Sequence, residues 1–391
     1  MFILADMQEQ GLQPSVVSYS AAISACGKGE EWERALTIMA KMQEQHVELN
    51  MVSYNAAISS CEKSAQWERA FSISQEMQEQ GLEPDVVSYG ALISACEKGA
   101  QWDRAVRMLA EMQERDMEPN DIIFSAAITA CEKGERWEYA LGLLAAMQVH
   151  QLEPSVVSCN AVINACKWGR QWERTLSMIE SMQEEALEPD VVSYGAAIGA
   201  CSRVHKHELA LGLFKEMQYQ YLAPDVISYN TAISACERGR QWELALSLLA
   251  EMHERNLDPD ILSFSAVISA CEKCEQWEWA LGMLAEAQAR YLEPDIISYS
   301  AAISACEKGR QWEHALWMLA EMQDRHLEPD AINYNAALSA CSRGEQWERA
   351  LALLVEMQQQ ELEPNAISRS IAISACEKGE QWECALGLLV A

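Results

Sequence analysis

The sequence predicts an all-α fold, a right-handed superhelical solenoid of antiparallel helix-turn-helix repeats (an α-α superhelix). Three observations carry that expectation: a motif that returns every 35 residues without insertion, two apolar stripes of helical period in each unit, and prolines confined to one register. The motif VVSYSAAISAC starts at Val16 and returns at Met51, Val86, Asp121, Val156, Val191, Val226, Ile261, Ile296, Ala331 and Ala366. The expected organisation is one array over 1–391, with a partial repeat at 1–15, ten full repeats at 16–365 and a partial repeat at 366–391.

Within a unit, Tyr19, Ala22, Ile23 and Cys26 fall at i, i+3, i+4 and i+7, so the first half is an amphipathic helix, with Ser18 the expected N-cap. Gly29 or its counterpart is expected to end that helix. A second stripe follows, as in Trp312, Ala315, Leu316, Leu319 and Met322, and gives the second helix. All ten prolines, Pro14 to Pro364, stand just before the next unit, where a fixed φ and a missing N–H suit a connector. A lone hairpin cannot bury both stripes; stacking on its neighbours at about 8–10 Å does. Residues of one register then form rows along the array, and function is expected to lie in rows.

Composition narrows the classes of function. Hydrophobic residues make up 50% of the chain, enough for a continuous core. A net charge of -30, from 59 acids and 29 bases, argues against a generic polyanion binder. No apolar run reaches the roughly 18 residues of a membrane span, and Met1 to Ser15 lacks the basic-then-apolar layout of a secretory signal, so a soluble protein is expected. Eleven of the 14 cysteines share one register and read as reduced, buried small hydrophobes. Neighbouring sulfurs a repeat apart are too distant for tetrahedral zinc, with its Zn–S distance near ~2.3 Å. The CxxC of Cys271 and Cys274 lacks a second pair, and Cys201, His205 and His207 are equally isolated. No nucleophile, base and orienting acid recur together, so neither an enzyme nor a cofactor is expected.

Four rows remain to be read. The tryptophans (Trp32, Trp67, Trp102, Trp137, Trp172, Trp242, Trp277, Trp312, Trp347, Trp382) can stack bases or pack helices; they open the core stripe of the second helix, which favours packing. A basic row of Lys28, Lys63, Lys98, Lys133, Arg203, Arg238, Lys273, Lys308, Arg343 and Lys378 lies two residues after the row cysteine, with Trp168 as the one exception. A regular line of cations suits a phosphodiester backbone; the alternative is pairing with neighbouring glutamates such as Glu62 and Glu97.

Two further registers vary within a uniform frame. After the aromatic stand Ser20, Asn55, Gly90, Ser125, Asn160, Gly195, Asn230, Ser265, Ser300, Asn335 and Ser370, all small or amide residues. The last residue of each unit is Asn50, Asp85, Asn120, Ser155, Asp190, Asp225, Asp260, Asp295, Asp330 or Asn365. An amide donates and accepts, a carboxylate only accepts and a hydroxyl does either, so such a pair can distinguish base edges. The alternative is that both registers are caps and turns, where these residues are common.

The 35-residue period, the VVSYNxxI-type opening, the Ala-Leu pair of the second helix and the Met…Leu-Glu-Pro-Asp closing together resemble the pentatricopeptide repeat family in its plain 35-residue class. The resemblance covers the whole chain. It implies one RNA base per repeat, with the two variable registers as the base-reading pair. It also implies that the aliphatic row Val17, Val52, Val87, Ile122, Val157, Val192, Ile227, Leu262, Ile297, Ile332 and Ile367 sandwiches the bases. In that family Ser with Asn favours adenine, Asn with Asp uracil, Ser with Asp guanine and Asn with Asn cytosine. From Ser20 with Asn50 to Asn335 with Asn365 the reading is 5′-A-U-?-?-U-?-U-G-G-C-3′. Gly90 with Asn120 leans to A and Gly195 with Asp225 to G, while Ser125 with Ser155 stays unread. Cys159, Trp168, Val204 and His207 depart from the pattern, which suggests a hinge or weak contact in the middle.

The resemblance thus implies a single-stranded RNA partner, other RNA-processing proteins as further partners, and a chloroplast or mitochondrial setting, although no transit peptide is visible. No membrane or small-molecule substrate is expected. The competing class is a protein-interaction scaffold, favoured by the acidic charge and by the docking surfaces that helical solenoids offer. Acidity lowers nonspecific affinity, so RNA binding would lean on base contacts.

Overall fold

The structure, a computed structural model, describes residues 14–390. Of the leading partial repeat expected over 1–15, only Pro14 and Ser15 fall within them, and Ala391 does not. The described residues hold 22 α-helices and no strand. They divide at Ala200 and Cys201 into two compact units, each an all-α helical repeat solenoid.

The first unit contains five hairpins: Val16–Lys28 with Trp32–Glu44, Met51–Lys63 with Trp67–Glu79, Val86–Lys98 with Trp102–Glu114, Asp121–Lys133 with Trp137–Val149, and Val156–Trp168 with Trp172–Glu184. The division falls inside the next first helix, Val191–Arg203. The second unit continues with His207–Tyr219 and then Val226–Gly239 with Trp242–Glu254, Ile261–Lys273 with Trp277–Ala289, Ile296–Lys308 with Trp312–Asp324, Ala331–Arg343 with Trp347–Gln359, and Ala366–Lys378 with Trp382–Val390.

Within each unit a first helix packs on its own second helix and on the first helices before and after it; a second helix packs on its own first helix and on the next one. First helices therefore form a continuous layer, and second helices stand apart with grooves between them. The core sits between the layers. Tyr54, Ala57, Ile58 and Cys61 enter it from a first helix, and Ala70 and Met77 from a second. Burial pushes the Cys61 thiol up to about 11 and the Cys96 thiol up to about 12, so these sulfurs stay protonated and act as small hydrophobes.

Helix starts differ from the expectation by three residues. The N-cap of Val16–Lys28 is Ser15, whose side chain accepts from the Ser18 N–H, so Ser18 is the third helical residue. Asn50, Asp85, Asn120, Ser155, Asp225, Asp260, Asp295, Asp330 and Asn365 cap their helices in the same way. A capping side chain must precede the first turn to reach its free N–H groups, and the Ser18 register is one turn too late.

Helix ends differ as well. Gly29, Gly99 and Gly309 have φ of -92°, -85° and -75°, and the left-handed residue is the one after, Glu30, Ala100 or Arg310. Clearance favours the glycine, although Ser64, Val204 and Cys274 hold the same register after repeats that keep Trp32, Trp172 and Trp242. A Cβ on Gly99 would fall inside the indole of Trp67, and Gly134, Gly169, Gly309, Gly344 and Gly379 meet Trp102, Trp137, Trp277, Trp312 and Trp347 alike. The tryptophan row therefore locks one repeat onto the end of the next first helix. Arg104 and Arg136 lie over the Trp67 and Trp102 rings, at 4.3 and 4.9 Å from the ring centroids. Among the described residues no helix is long and apolar enough to cross a membrane.

Candidate nucleic-acid interface

The residues expected to read bases and the residues expected to sandwich them lie together at the starts of the first helices. Position two of each helix is aliphatic and turned to solvent: Val17, Val52, Val87, Ile122, Val157, Val192, Ile227, Leu262, Ile297, Ile332 and Ile367 are between 53% and 76% exposed. Three residues on, and so beside each aliphatic on the same face, stands the first variable register.

The two variable registers, 30 residues apart in sequence, meet in space. Asn55 Nδ2 donates to Asp85 Oδ1 at 3.0 Å, Asn160 to Asp190 at 3.1 Å and Asn230 to Asp260 at 3.1 Å. A serine at the third helical position ties each pair together. Ser88 Oγ lies 2.5 Å from Asn55 Oδ1 and 2.8 Å from Asp85 Oδ1, and Ser193 and Ser263 bridge the other two pairs. This is the Ser18 register, expected from the sequence to cap the helix; its bridging role is not. The pattern Asp-x-x-Ser, a capping box with serine at its third position, is the signal that reveals it.

Burial pushes the Asp85 carboxyl up, but hydrogen bonds from the Ser88 backbone and hydroxyl and from the Asn55 amide outweigh it and hold the group below the usual carboxylate range. Asp190 and Asp260 are lowered by the same balance. Each is therefore an acceptor throughout the neutral range. The internal donors converge on Oδ1, and Asp85 Oδ2 has no donor among the described residues.

Serine at the first register behaves differently. Ser20 Oγ donates to the Val16 carbonyl at 2.9 Å and lies 2.8 Å from Ser53 Oγ, which in turn donates to Asn50. Ser125, Ser265 and Ser300 turn back onto the carbonyls of Asp121, Ile261 and Ile296. Ser368 Oγ donates to both Asn335 and Asn365. In the third repeat the link is lost: Gly90 has no side chain, and a Cβ there would touch buried Ile123, which replaces the bridging serine. Ser155 caps its helix at 3.2 Å, Gly195 and Asp225 belong to different compact units, and Ser370 lies on the last first helix without a described partner register.

The cation row lies at the opposite ends of the same helices, and much of it is neutralised. Lys98 meets Glu62 at 2.9 Å, Lys133 meets Glu97 at 3.2 Å, Lys273 meets Glu237 at 2.8 Å, Lys308 meets Glu272 at 2.6 Å and Arg343 meets Glu307 at 3.2 Å. Each partner is 36 residues earlier, the residue after the row cysteine of the preceding repeat. Where that residue is Ser202 or Ser342, Arg238 and Lys378 donate to its carbonyl instead. Where it is Gly27, Lys63 makes no ion pair among the described residues, and neither does Lys28 in the first repeat. Arg203 closes the helix Val191–Arg203.

Comparisons with known proteins agree with this architecture. The family "Pentacotripeptide-repeat region of PRORP" matches residues 6–190; "PPR repeat family" matches 189–238, 224–273 and 329–378; "Pentatricopeptide repeat domain" matches 282–344; and "PPR repeat" matches 262–291. No curated protein matches the chain by sequence. Among solved structures, the chain is similar to the pentatricopeptide repeat protein PPR10 from maize at 19% identity and a TM-score of 0.53, over 99% of this chain; it spans 65% of that protein's length. PPR10 in complex with an 18-nt psaJ RNA element matches at 17% identity and TM-score 0.39, over 99% of this chain and 76% of that one. The PPR domain of Arabidopsis thaliana protein-only RNase P 1 in complex with tRNA matches at 16% identity and TM-score 0.41, over 48% and 94%.

Proposed function

The chain belongs to the pentatricopeptide repeat family, and from that premise we propose that it binds single-stranded RNA sequence-selectively, one base per repeat, with no catalysis of its own. One observation carries this reading: a row of exposed aliphatics at the helix starts, beside which Asn55 with Asp85, Asn160 with Asp190 and Asn230 with Asp260 form tethered polar pairs. An aliphatic row left in water at 35-residue intervals costs solvation that flat apolar ligands such as bases would relieve. The polar pair beside it is held in place before a ligand arrives, so little ordering entropy is lost on binding. An Asp whose Oδ2 is open accepts from an imino N–H, as uracil and guanine present; Asn in the same place can donate to adenine or cytosine. Occupying a stretch of RNA so that an end is shielded or a structure blocked is the proposed mode of action, in organellar RNA processing, stability or translation.

Titration at fixed salt with the RNA A-U-A-N-U-G-U-G-G-C and with a base-shuffled RNA tests this. Tighter binding to the first, by tenfold or more, is expected; equal weak binding to both refutes the reading. The ion-paired state of the cation row favours a second reading, a protein-docking surface, because few cations remain for phosphates. Under that reading neither RNA binds.

A further inference from the structure

A cavity of about 190 Å3 opens between the second helices Trp137–Val149 and Trp172–Glu184, and its floor is Cys159. Cys159 stands where nine of the other ten first helices carry a buried aromatic ring, such as Tyr54, Tyr89, Phe124, Tyr194 and Phe264; the tenth has Arg369. A shallower and larger groove of about 530 Å3 in the same register two repeats earlier is lined by Tyr89 but not by Met112; the cavity at Cys159 is smaller and reaches Met182, the counterpart of Met112. Leu141, Leu144 and Met178 line its sides. An apolar cavity of about 150 Å3 is large enough to take up benzene.

The polar end of a tyrosine is still provided for. Elsewhere the phenol oxygen meets side chains in three registers: Tyr194 Oη accepts from Gln183 at 3.3 Å and Tyr299 from Gln288 at 3.0 Å, Tyr89 donates to Glu111 at 2.8 Å and Tyr334 to Glu356 at 3.1 Å, and Tyr19 donates to Gln45 at 2.6 Å. The corresponding residues around Cys159 are Gln148, Ser181 and Glu185, all in the cavity lining, so a serine stands where Tyr89 and Tyr334 meet a glutamate. With no phenol hydroxyl between them Gln148 and Glu185 bond to each other, Gln148 Nε2 to Glu185 Oε1 at 3.2 Å.

We propose that this cavity is a binding site for a small phenol, which enters ring first, lays its ring against Cys159, Met182 and Leu144, and places its hydroxyl between Gln148 and Glu185. The hydroxyl would accept from the Gln148 amide, as Tyr194 and Tyr299 accept from their glutamines, and donate to the Glu185 carboxylate, in the register where Tyr19 donates to Gln45. Thioether and thiol sulfurs at the ring add favourable S–aromatic contacts. Binding is noncovalent: burial, and then the Glu185 charge, push the Cys159 thiol up to about 11, so it is not a nucleophile at neutral pH. Cys159 sits at a first-helix start, beside Asn160, but neither the aliphatic row nor the base-reading pair lines the cavity, so phenol binding stands or falls independently of RNA binding.

The test is calorimetric titration of the full chain with phenol, and with benzene as the analogue lacking the hydroxyl. Saturable one-site binding of phenol is expected, with benzene at least fivefold weaker. Cys159→Tyr and Cys159→Phe fill the cavity with rings the register already accommodates, and each should weaken phenol at least tenfold while circular dichroism stays unchanged. Two variants are used so that one poorly folded protein does not decide the matter. No saturable binding of phenol to the unmodified chain overturns the proposal, as does binding to the ring-filled variants within twofold of it. Equal affinity for phenol and benzene overturns the role of Gln148 and Glu185.

Discussion

The two ends of each first helix are built from equally regular rows but are satisfied to different degrees. At the start, the row from Val17 to Ile367 is left in water, and a carboxylate such as Asp85 keeps one oxygen without a donor. At the end, glycine fits under tryptophan and lysine meets glutamate, so the surface is packed and largely neutralised from within. Regularity alone therefore does not mark a binding row. An internally satisfied row holds repeats together, and an unsatisfied one is available to a ligand.

The largest effect expected from this contrast is on stability and falls at the helix end. Gly309→Val puts a branched side chain into the Trp277 indole and should cost about 3 kcal/mol by overpacking, read as a fall in the urea midpoint at unchanged slope. Coupling it with Trp277→Ala should recover part of the loss, because the two residues compete for one space. Full additivity of the two changes would show that the glycine serves something other than ring clearance.

A smaller effect, on binding alone, is expected at the helix start. Ile297 is 65% exposed, so Ile297→Ser should leave stability within about 0.5 kcal/mol. If a base rests on it, RNA affinity should drop roughly tenfold, on the order of 1–2 kcal/mol of lost stacking contact. A variant that loses stability but not affinity would reverse the assignment of the two ends.

Much of this was legible in the sequence because an uninterrupted period places every residue by arithmetic. The hairpins follow from the apolar stripes and the connectors from Pro14, Pro84 and their counterparts. Local chemistry was less legible. Ser18 and Ser15 are both good capping residues, and only the position of the first helical turn decides between them. The glycine at 99 suggested a left-handed cap, yet Trp67, 32 residues earlier, is what requires it, and no local pattern encodes that contact. The pairing of Lys98 with Glu62 was one of two readings open to the sequence; the stacking distance between repeats selected it. Likewise, Cys159 was visible as a departure, but the cavity it leaves appears only once Gln148 and Glu185 are seen still holding the place of the missing hydroxyl.

The smallest expected effect tests whether the helix ends take any part in RNA binding. For single strands the logarithm of the binding constant falls with the logarithm of salt at about 0.7 per phosphate neutralised. A row of ten free cations would give a steep dependence, but an ion-paired lysine must break from its carboxylate before it can serve a phosphate, with little net gain. Lys63 makes no such pair among the described residues, because Gly27 stands where Glu62 stands for Lys98. Lys63→Gln should therefore reduce the salt slope by about 0.7, and Lys98→Gln should leave it nearly unchanged. Restoring a carboxylate with Gly27→Glu should mimic Lys63→Gln without removing the lysine, provided the added side chain, which faces Ser60, leaves the fold intact by circular dichroism. Equal slopes for the Lys63 and Lys98 variants would mean that the glutamate partners yield to phosphate and that both ends of the helix belong to the interface.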